Sequence, residues 1–386
     1  MERVAIGTER APDVIVVGGG AIGLACALTL AATGRRIVVL ERGRTGAEAT
    51  HAAAGMLSPI GEAVGPDPLL WLGLDSLARW KEFAAELETD SGVGVDLRFD
   101  GKLLVARDLA SAQSLRKRKA WISEAGLDAE WLEAPEVALR EPAVDGAVAG
   151  LFLPQEGQVD NRALARALRI VVEQSGCSIR EGSQVAELDV VGGHTRGVRL
   201  IDGTRLACDL VILAAGAWSG HVAGLPRPLP VRPVKGQMLA LETGATAPFV
   251  RSVVETESCY VVPRSPDPGS PTHEVRAWVG ATSEEVGFTR GTTSEALESL
   301  RTAAVTIIPS LTRARVIDAW AGFRPGTPDG CPVLGRDPDV EDLVHATGHY
   351  RNGILLVPIT GHLCRCAVEG HGDARLNSFR PDRFGS

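Results

Sequence analysis

The chain has 386 residues, 45% of them hydrophobic and 23% charged, and its formal net charge is −8 at pH 7. This balance is typical of a globular protein with a full core, and the acidic charge argues against a nucleic-acid partner. The seven cysteines show no Cys-x-x-Cys spacing, so we expect a reducing cytoplasm and no metal site.

The first predicted unit is a strand, a glycine turn and a helix, followed by a second strand. The opening MERVAIGTERAPD has no apolar signal-peptide core, so we expect no export. The apolar run that follows changes from a β-branched strand, 13–17, through three glycines to an alanine- and leucine-rich helix that ends near Gly34. A second strand, 36–40, leads into Glu41. This alternation explains the apolar run without a membrane span.

Each part of this unit fits a phosphate-binding turn. Gly18 permits a tight turn, Gly20 lets the backbone approach a pyrophosphate, and Gly23 lets helix and strand pack closely. The helix N-terminus attracts phosphates, and Glu41, which follows Gly18 by 23 residues, can accept both hydroxyls of an adenosine ribose. The sequence therefore predicts a dinucleotide site, without distinguishing NAD from FAD.

Further helices and strands are predicted along the chain. A stripe of apolar residues at helical spacing indicates a helix that faces the core, and it comprises Leu70, Leu74, Leu77, Trp80, Ala84 and Leu87. Asp160 is predicted to cap the helix NRALARALRIVVEQSG. The alternating runs LRFDGKLLVA, QMLALET and SCYVVPR predict a mostly antiparallel sheet with one face toward a pocket.

Six segments resemble the glycine oxidases and their amino-acid oxidase relatives, in the same order along the chain. They are GAEATHAAAGMLSP (46–59), RPVKGQML (232–239), SCYVVPR (258–264), VGAT (279–282), WAGFRPGTPDG (320–330) and ATGHYRNGILL (346–356). Together they are similar to the FAD-dependent amine oxidases of the D-amino-acid oxidase type, and the thiamine-pathway glycine oxidases have the most similar pattern. The resemblance spans nearly the whole chain.

The resemblance implies an α/β fold with two domains. A Rossmann-type FAD-binding domain is expected to be discontinuous, at 1–90, 155–226 and 321–386. A substrate domain with a mostly antiparallel sheet is expected at 91–154 and 227–320. The pocket should lie between the two domains.

The resemblance also implies which residues contact FAD. They are Gly18, Gly20, Ala21, Ile22, Gly23, Glu41, Arg42, Thr50, His51, Ala54, Gly55, Met56, Val185, Gly216, Trp218, Arg351, Asn352, Gly353, Ile354 and Leu355. Backbone near Val185 is expected at the adenine. His51 stands one position before the place where histidine-linked flavoproteins of the wider family carry their covalent histidine, so we expect noncovalent FAD.

Arg324 lies just before a stiff loop of prolines and glycines, in WAGFRPGTPDG. A residue before proline is held in an extended conformation, which favours a side chain that is aimed at a ligand. The alternative interpretation is a solvated arginine in a surface turn. The resemblance implies that Arg324 binds a substrate carboxylate through two parallel hydrogen bonds.

The other catalytic candidates are Tyr260 and Arg351. The chain has two tyrosines, Tyr260 and Tyr350, and both lie in the resembling segments. Strand alternation can point Tyr260 toward a pocket, and the alternative is a core aromatic with a backbone partner. Arg351 is interpreted either as a site residue or as a structural one. His51 and His349 are interpreted as structural hydrogen bonders.

The implied activity is oxidation of glycine or an N-substituted glycine by hydride transfer to flavin. The imine would hydrolyse to glyoxylate and an amine, while oxygen would be reduced to hydrogen peroxide. Two alternatives keep the fold: a bulkier N-carboxymethyl amino acid as substrate, or a D-amino-acid or sarcosine-type dehydrogenase with another electron acceptor. Because of the long hairpin at 265–273, the sequence does not decide between glycine and a bulkier substrate. A homo-oligomer is expected from the family alone.

Overall fold

The computed structural model describes residues 11–244, 249–265 and 275–385. The helices in these ranges are α1 (Ala21–Ala31), α2 (Ala49–Ala52), α3 (Pro59–Glu62), α4 (Pro68–Ser91), α5 (Leu109–Glu124), α6 (Ala134–Arg140), α7 (Asn161–Gln174), α8 (Ser294–Ile307) and α9 (Val357–Glu369). Short 3-10 helices lie at Gly216–His221, Pro309–Arg313, Tyr350–Asn352, Ala374–Phe379 and Pro381–Phe384.

The strands form four sheets. In chain order they are β1 (Val14–Val17), β2 (Ile37–Leu40), β3 (Met56–Leu57), β4 (Lys102–Ala106), β5 (Glu130–Glu133), β6 (Ala149–Leu153), β7 (Gly157–Gln158), β8 (Ser178–Arg180), β9 (Val185–Val191), β10 (His194–Leu200), β11 (Arg205–Ala207), β12 (Leu210–Leu213), β13 (Arg232–Glu242), β14 (Val253–Glu255), β15 (Tyr260–Arg264), β16 (Arg276–Gly280), β17 (Arg315–Gly326), β18 (Val333–Arg336) and β19 (Leu343–Thr347). Strands β9 to β11 form a small antiparallel sheet, and β3 pairs with β7.

The larger α/β layer is built on a six-stranded sheet in the order β18-β19-β12-β1-β2-β8, parallel except for β18. Its central strands are buried on both faces. In β1, Val14 and Val16 pack toward the helices α1, α7 and α9, whereas Ile15 and Val17 pack toward the β9–β11 sheet. The expected Rossmann-type α/β architecture is confirmed.

The second layer is an eight-stranded sheet in the order β17-β13-β16-β15-β14-β4-β6-β5. All of its pairings are antiparallel except that of β14 with β4. Strand alternation gives it two faces: Val261 packs with the residues of α8, whereas Val262 and Met238 pack on the other face with Ala54. The second face is therefore the one turned toward the α/β layer.

Two helices predicted from sequence are confirmed. Helix α4 carries the predicted stripe on its inner side, where Leu74 is partly exposed and the other five residues are buried. Asp160 caps α7 by accepting hydrogen bonds from the backbone N–H groups of Arg162 and Ala163. Both helices follow from local pattern and capping, which is why the sequence predicted them well.

The predicted domain limits stay a prediction, and strand β17 continues across the expected boundary between 320 and 321. The predicted hairpin at 265–273 lies outside the described residues except for its first position. Within the three described ranges, the helices are all too short or too polar to cross a membrane.

Candidate active site

A large cavity lies between the two layers. It is lined at the carboxyl ends of the parallel strands by Val17, Leu40 and Thr347, and from the antiparallel sheet by Met238 and Tyr260. The crevice outside the carboxyl ends of parallel strands is the usual ligand site of open α/β sheets. This position makes the cavity the candidate functional site.

The glycine turn shapes one wall of the cavity. Gly18 has a φ of +109°, and a Cβ there would lie 2.4 Å from the Ala214 carbonyl oxygen. A Cβ at Gly23 would lie 2.0 Å from the Gly18 carbonyl oxygen, so α1 rests directly on the end of β1. Gly20 is the N-cap of α1 and has no side chain to occupy the space before the helix. The helix N-terminus is thus presented to the cavity.

Glu41 is held rigidly beside this turn. Its carboxylate accepts hydrogen bonds from the backbone N–H groups of Gly19 and Gly43, both at 2.8 Å. The residue is 7% exposed and lines the cavity. Because each carboxylate oxygen has two lone pairs, each one retains a position for a hydroxyl donor.

Aromatic and cationic side chains close another part of the cavity wall. The Arg42 guanidinium lies 3.4 Å from the centroid of the Trp218 ring and pairs with Glu48. Trp218 stacks on Phe288 with centroids 4.8 Å apart, and Glu48 also pairs with Arg290 at 2.9 Å. These contacts join the loop that follows β16 to the residues that line the cavity.

Arg324 on β17 and Tyr260 on β15 project into the cavity, and each lies beside a strand that carries a glycine. A Cβ at Gly236 of β13 would lie 2.4 Å from Nη1 of Arg324, and a Cβ at Gly280 of β16 would lie 2.5 Å from the Tyr260 hydroxyl. The glycines therefore make the room that the two side chains occupy. Nη1 of Arg324 donates to the Thr282 carbonyl oxygen at 3.1 Å.

Arg351 reaches the same cavity from the turn after β19. Its Nη1 lies 3.3 Å from Oε2 of Glu62, and its side chain is 42% exposed. The negative charge of Glu62 raises the pKa of Arg351, so the guanidinium stays charged. Glu62 also lines the cavity, which places a carboxylate among its arginines.

Residues 13–365 match the family described as FAD dependent oxidoreductase. The chain belongs to this family of FAD-dependent oxidoreductases. Its FAD-binding fold is shared with a crystal structure of glycine oxidase from Geobacillus kaustophilus, with a TM-score of 0.90 and 32% identity over 97% of this chain and 99% of that one. A crystal structure of iminodiacetate oxidase from Chelativorans sp. BNC1 matches with a TM-score of 0.84 and 27% identity, over 95% and 98% of the two chains.

A longer relative also matches. The bifunctional protein ThiO/ThiG of Synechocystis is 35% identical over 382 residues, which are 97% of this chain and 54% of the relative. The chain therefore spans about half the length of that bifunctional relative.

FAD is the cofactor of this oxidoreductase family, and the residues around the glycine turn fit a dinucleotide. The turn at Gly18 and Gly23 has no space for a Cβ, and it brings the N-terminus of α1 to the cavity, where the first amide, that of Ala21, donates to the Thr50 hydroxyl at 3.0 Å. Glu41 offers fixed acceptor positions beside that terminus. Backbone amides for phosphates and a carboxylate for ribose hydroxyls are the groups that a dinucleotide requires.

Most of the predicted site residues are brought together by the fold. The cavity is lined by Gly18, Gly20, Ala21, Ile22, Glu41, Arg42, Thr50, Ala54, Gly55, Met56, Val185, Gly216, Trp218, Tyr260, Arg324, Arg351, Gly353 and Ile354. Their contacts with FAD or substrate stay predictions.

Four predicted cofactor residues lie outside the lining. Gly23 lies beneath the turn in contact with Gly18, and the His51 side chain is exposed. Asn352 borders a smaller cavity next to Glu62. Leu355 is buried, and its carbonyl oxygen accepts hydrogen bonds from Ser76 and Trp80.

Sequence reasoning missed a charged cluster behind this site. Lys102 is 1% exposed and lies near Glu62, Glu156 and Glu255. The chain has five lysines, and Lys102 begins the otherwise apolar strand β4, which is the one signal that the sequence carried. The three carboxylates come from distant segments, so no local pattern joins them.

A group of metal-ligand side chains lies outside the cavity lining, at the end of α9. Ligand atoms of His362, Cys366 and Asp373 lie within 4.8 Å of one another. Asp373 already pairs with Arg375 through both carboxylate oxygens, at 2.9 and 2.7 Å. Arg365 also adds positive charge near His362, so arginine side chains already supply the positive charge next to this cluster.

We expect the neutral, buried His349 side chain, which lines the cavity, to lower the free energy of unfolding as the pH falls. Burial lowers its pKa to about 3, and its Nε2 lies 3.0 Å from the Thr360 hydroxyl. Because the folded-state pKa of His349 is below the ordinary value near 6.5, the unfolded state binds more protons between pH 6.5 and pH 3. The free energy of unfolding is therefore unaffected by this residue above pH 6.5 and falls progressively toward pH 3. At pH 5 the loss should be about 2 kcal/mol.

Denaturant unfolding of the holoenzyme at pH 7 and pH 5 measures this effect. His349→Gln should lose less stability between the two pH values than the wild type, because glutamine does not titrate. His371→Gln is the matched control, since the His371 side chain is 71% exposed. An identical pH dependence for wild type and His349→Gln would contradict the assignment.

Proposed function

We propose that the chain is an FAD-dependent amine oxidase that oxidises glycine or an N-substituted glycine, with oxygen as the electron acceptor. The observation that carries this proposal is the hydrogen bonding of the Arg324 guanidinium. Its Nη1 donates to the Thr282 carbonyl oxygen, and its other N–H groups have no protein acceptor among the described residues. A guanidinium in a cavity with open donors is suited to a planar carboxylate.

Tyr260 supplies a second donor beside Arg324. Burial raises the pKa of Tyr260, although the charge of Arg324 opposes the shift, so the phenol keeps its proton. Its hydroxyl donates to Sδ of Met238 at 3.6 Å, and a thioether is a weak acceptor. A substrate carboxylate would be a stronger acceptor for the same proton.

Together these groups would orient the substrate. In glycine the α-carbon is bonded directly to the carboxylate, so the grip of Arg324 and Tyr260 also fixes the position of the C–H bonds. FAD, when bound, supplies the hydride acceptor and passes the electrons to oxygen, giving hydrogen peroxide. A neutral substrate amine needs no general base for this transfer. The resulting imine hydrolyses in water to glyoxylate and ammonia or, from an N-substituted glycine, to glyoxylate and an amine.

An anaerobic titration tests the proposal. The flavin absorbance of the purified holoenzyme is followed as glycine, sarcosine, iminodiacetate, a bulky N-carboxymethyl amino acid and several D-amino acids are added in turn. We expect bleaching by glycine or sarcosine. Bleaching by the bulky compound alone would show that the substrate is a bulky N-carboxymethyl amino acid and not glycine or sarcosine. A protein purified without flavin would contradict the whole proposal.

A second substrate class has support from one comparison. Iminodiacetate, which the Chelativorans relative is named for, is glycine with a carboxymethyl group on its nitrogen. Bleaching by iminodiacetate in preference to glycine would support that class. Admitting air then tests the acceptor: prompt return of the oxidised spectrum supports an oxidase, whereas a persistently reduced flavin supports a dehydrogenase.

The cofactor linkage and the domain division are part of the same proposal. We propose noncovalent FAD, since the His51 side chain is exposed and outside the cavity lining, and heat denaturation should then release free FAD. The proposed FAD-binding domain comprises 1–90, 155–226 and 321–386. Removal of FAD should reduce amide exchange protection in these ranges more than elsewhere.

The cellular setting is likewise proposed. All seven cysteines are free thiols, which supports a cytoplasmic location, and fractionation of cells measures it. A homo-oligomer is supported by the family resemblance, and light scattering of the purified holoenzyme would show a mass above that of one chain.

A further inference from the structure

A buried lysine lies behind the substrate end of the cavity. The Lys102 ammonium is 2.7 Å from Oε2 of Glu255 and 2.9 Å from the Ser58 hydroxyl, and its side chain is 1% exposed. Removing an ammonium from water costs several kcal/mol unless it is well paired, so this residue is a poor choice for simple packing. Its presence in the apolar strand β4 calls for another explanation.

Lys102 belongs to a network that anchors the segment 58–62. Glu156 is fully buried and accepts hydrogen bonds from the Ser58 hydroxyl and from the backbone N–H of Gly61. A Cβ at Gly61 would lie 2.8 Å from the Lys102 nitrogen, so glycine is needed for the approach. The anchored segment ends at Glu62, whose side chain lines the cavity.

Glu62 is shared between two cations. Its Oε1 lies 3.8 Å from the Lys102 nitrogen, and its Oε2 lies 3.3 Å from Nη1 of Arg351. Burial acts to lower the pKa of Lys102, but Glu255, Glu62 and Glu156 together outweigh this and raise it, so the lysine stays charged. Glu62 is thus hydrogen-bonded to Arg351 and also lies within ion-pair distance of Lys102, whose charge competes for the same carboxylate.

The network also borders the predicted substrate groups. Glu255 lies directly opposite Tyr260 in the pairing of β14 with β15. The phenol of Tyr260 experiences the charges of Arg324 and Arg351 as well as those of Glu62 and Glu255. The arrangement therefore places the guanidinium groups of Arg324 and Arg351 at one end of the cavity, and the Glu62 carboxylate neutralises part of the Arg351 charge.

We propose that Lys102 is a positioning residue that holds Glu62 away from full pairing with Arg351, so that Arg351 can bind a second carboxylate on the substrate nitrogen. The substrate class is then an N-carboxymethyl amino acid, in which Arg324 takes one carboxylate and Arg351 the other. This inference rests on the proposed function, because it uses Arg324 as the first carboxylate site.

Two unreactive sulfur analogues test the inference by binding alone. Thiodiglycolate carries two carboxylates and methylthioacetate carries one, and neither has an amine to oxidise. Their dissociation constants are measured from the perturbed flavin spectrum of the holoenzyme. We expect the wild type to bind thiodiglycolate about five- to tenfold more tightly, as befits one extra, partly exposed ion pair.

Substitutions of Lys102 and Glu62 should change the preference for thiodiglycolate over methylthioacetate in opposite directions. Lys102→Met should abolish the preference, because Glu62 is then free to neutralise Arg351, and Glu62→Gln should increase it. Lys235→Met is the matched control: Lys235 is also buried and pairs with Glu284 at 3.7 Å, but Glu284, unlike Glu62, does not line the cavity. This control should keep the wild-type preference.

The outcomes separate this inference from the proposed function. An unchanged preference in flavin-loaded Lys102→Met overturns the inference, and so does an unchanged preference in Glu62→Gln if Lys102→Met fails to fold. A shifted preference without flavin bleaching by any amine supports the inference while contradicting amine oxidation. Loss of binding of both analogues in Lys102→Met would indicate a general structural role and would also overturn it.

Discussion

Arg324→Ala should lower kcat/KM by about two to four decades, because loss of a carboxylate partner in a largely dry cavity costs about 3 to 5 kcal/mol. The guanidinium lines the cavity, and a hydrogen bond to the Thr282 carbonyl oxygen aims it. Arg324→Lys should recover only part of the loss, since an ammonium cannot form two parallel hydrogen bonds with one carboxylate. Steady-state kinetics with the substrate that bleaches the flavin measures the change.

The same strand offers a matched control for Arg324. Arg315 lies at the other end of β17, where its side chain is 73% exposed and pairs with Glu242. Arg315→Ala should leave kcat/KM nearly unchanged. If Arg324→Ala kept wild-type efficiency with a full complement of FAD, Arg324 would have to be removed from the site, and the carboxylate assignment with it.

Gly23→Ala should weaken FAD binding by about 10- to 100-fold, which corresponds to the roughly 1 to 3 kcal/mol that overpacking costs. The new Cβ would lie 2.0 Å from the Gly18 carbonyl oxygen, so α1 must move away from the turn. That movement should displace the helix N-terminus from the position proposed for the FAD phosphates. The ratio of FAD to protein after dialysis, together with the melting temperature of the holoenzyme, measures the loss.

A neighbouring glycine separates this effect from a general cost of replacing glycine. Gly65 lies between α3 and α4, and a Cβ there would meet nothing within 4 Å. Gly65→Ala should therefore retain FAD and the wild-type melting temperature. Wild-type FAD content in Gly23→Ala would mean that the turn tolerates a side chain, contrary to the packing at Gly18.

The charged residues show where prediction from sequence stopped. Arg324 and Tyr260 were identified because each lies in a segment that resembles known oxidases, and the fold places both in the cavity. Lys102 and Glu255 had no such segment. Their meeting depends on the parallel pairing of β14 with β4, between strands about 150 residues apart, which no short-range pattern predicts.

Placement within the turn after β19 also needed the tertiary structure. Gly353 and Ile354 line the cavity, whereas Leu355, the next residue along, turns its carbonyl oxygen to Trp80 of α4. The sequence identified the whole run as cofactor-binding. Which of its members face the cavity depends on how the turn packs against a helix that begins almost 300 residues earlier.

By itself the sequence determined the strand, glycine turn and helix at 14–31, the apolar stripe of α4, the cap of α7, and the alternation that separates Tyr260 from Val261. These features depend on residues a few positions apart, whose spacing already decides which side chains share a face or reach a backbone amide. Only the tertiary structure decided which charges meet. Coulomb and desolvation energies depend on distance and burial, and both are set by strand pairing between segments far apart in the chain.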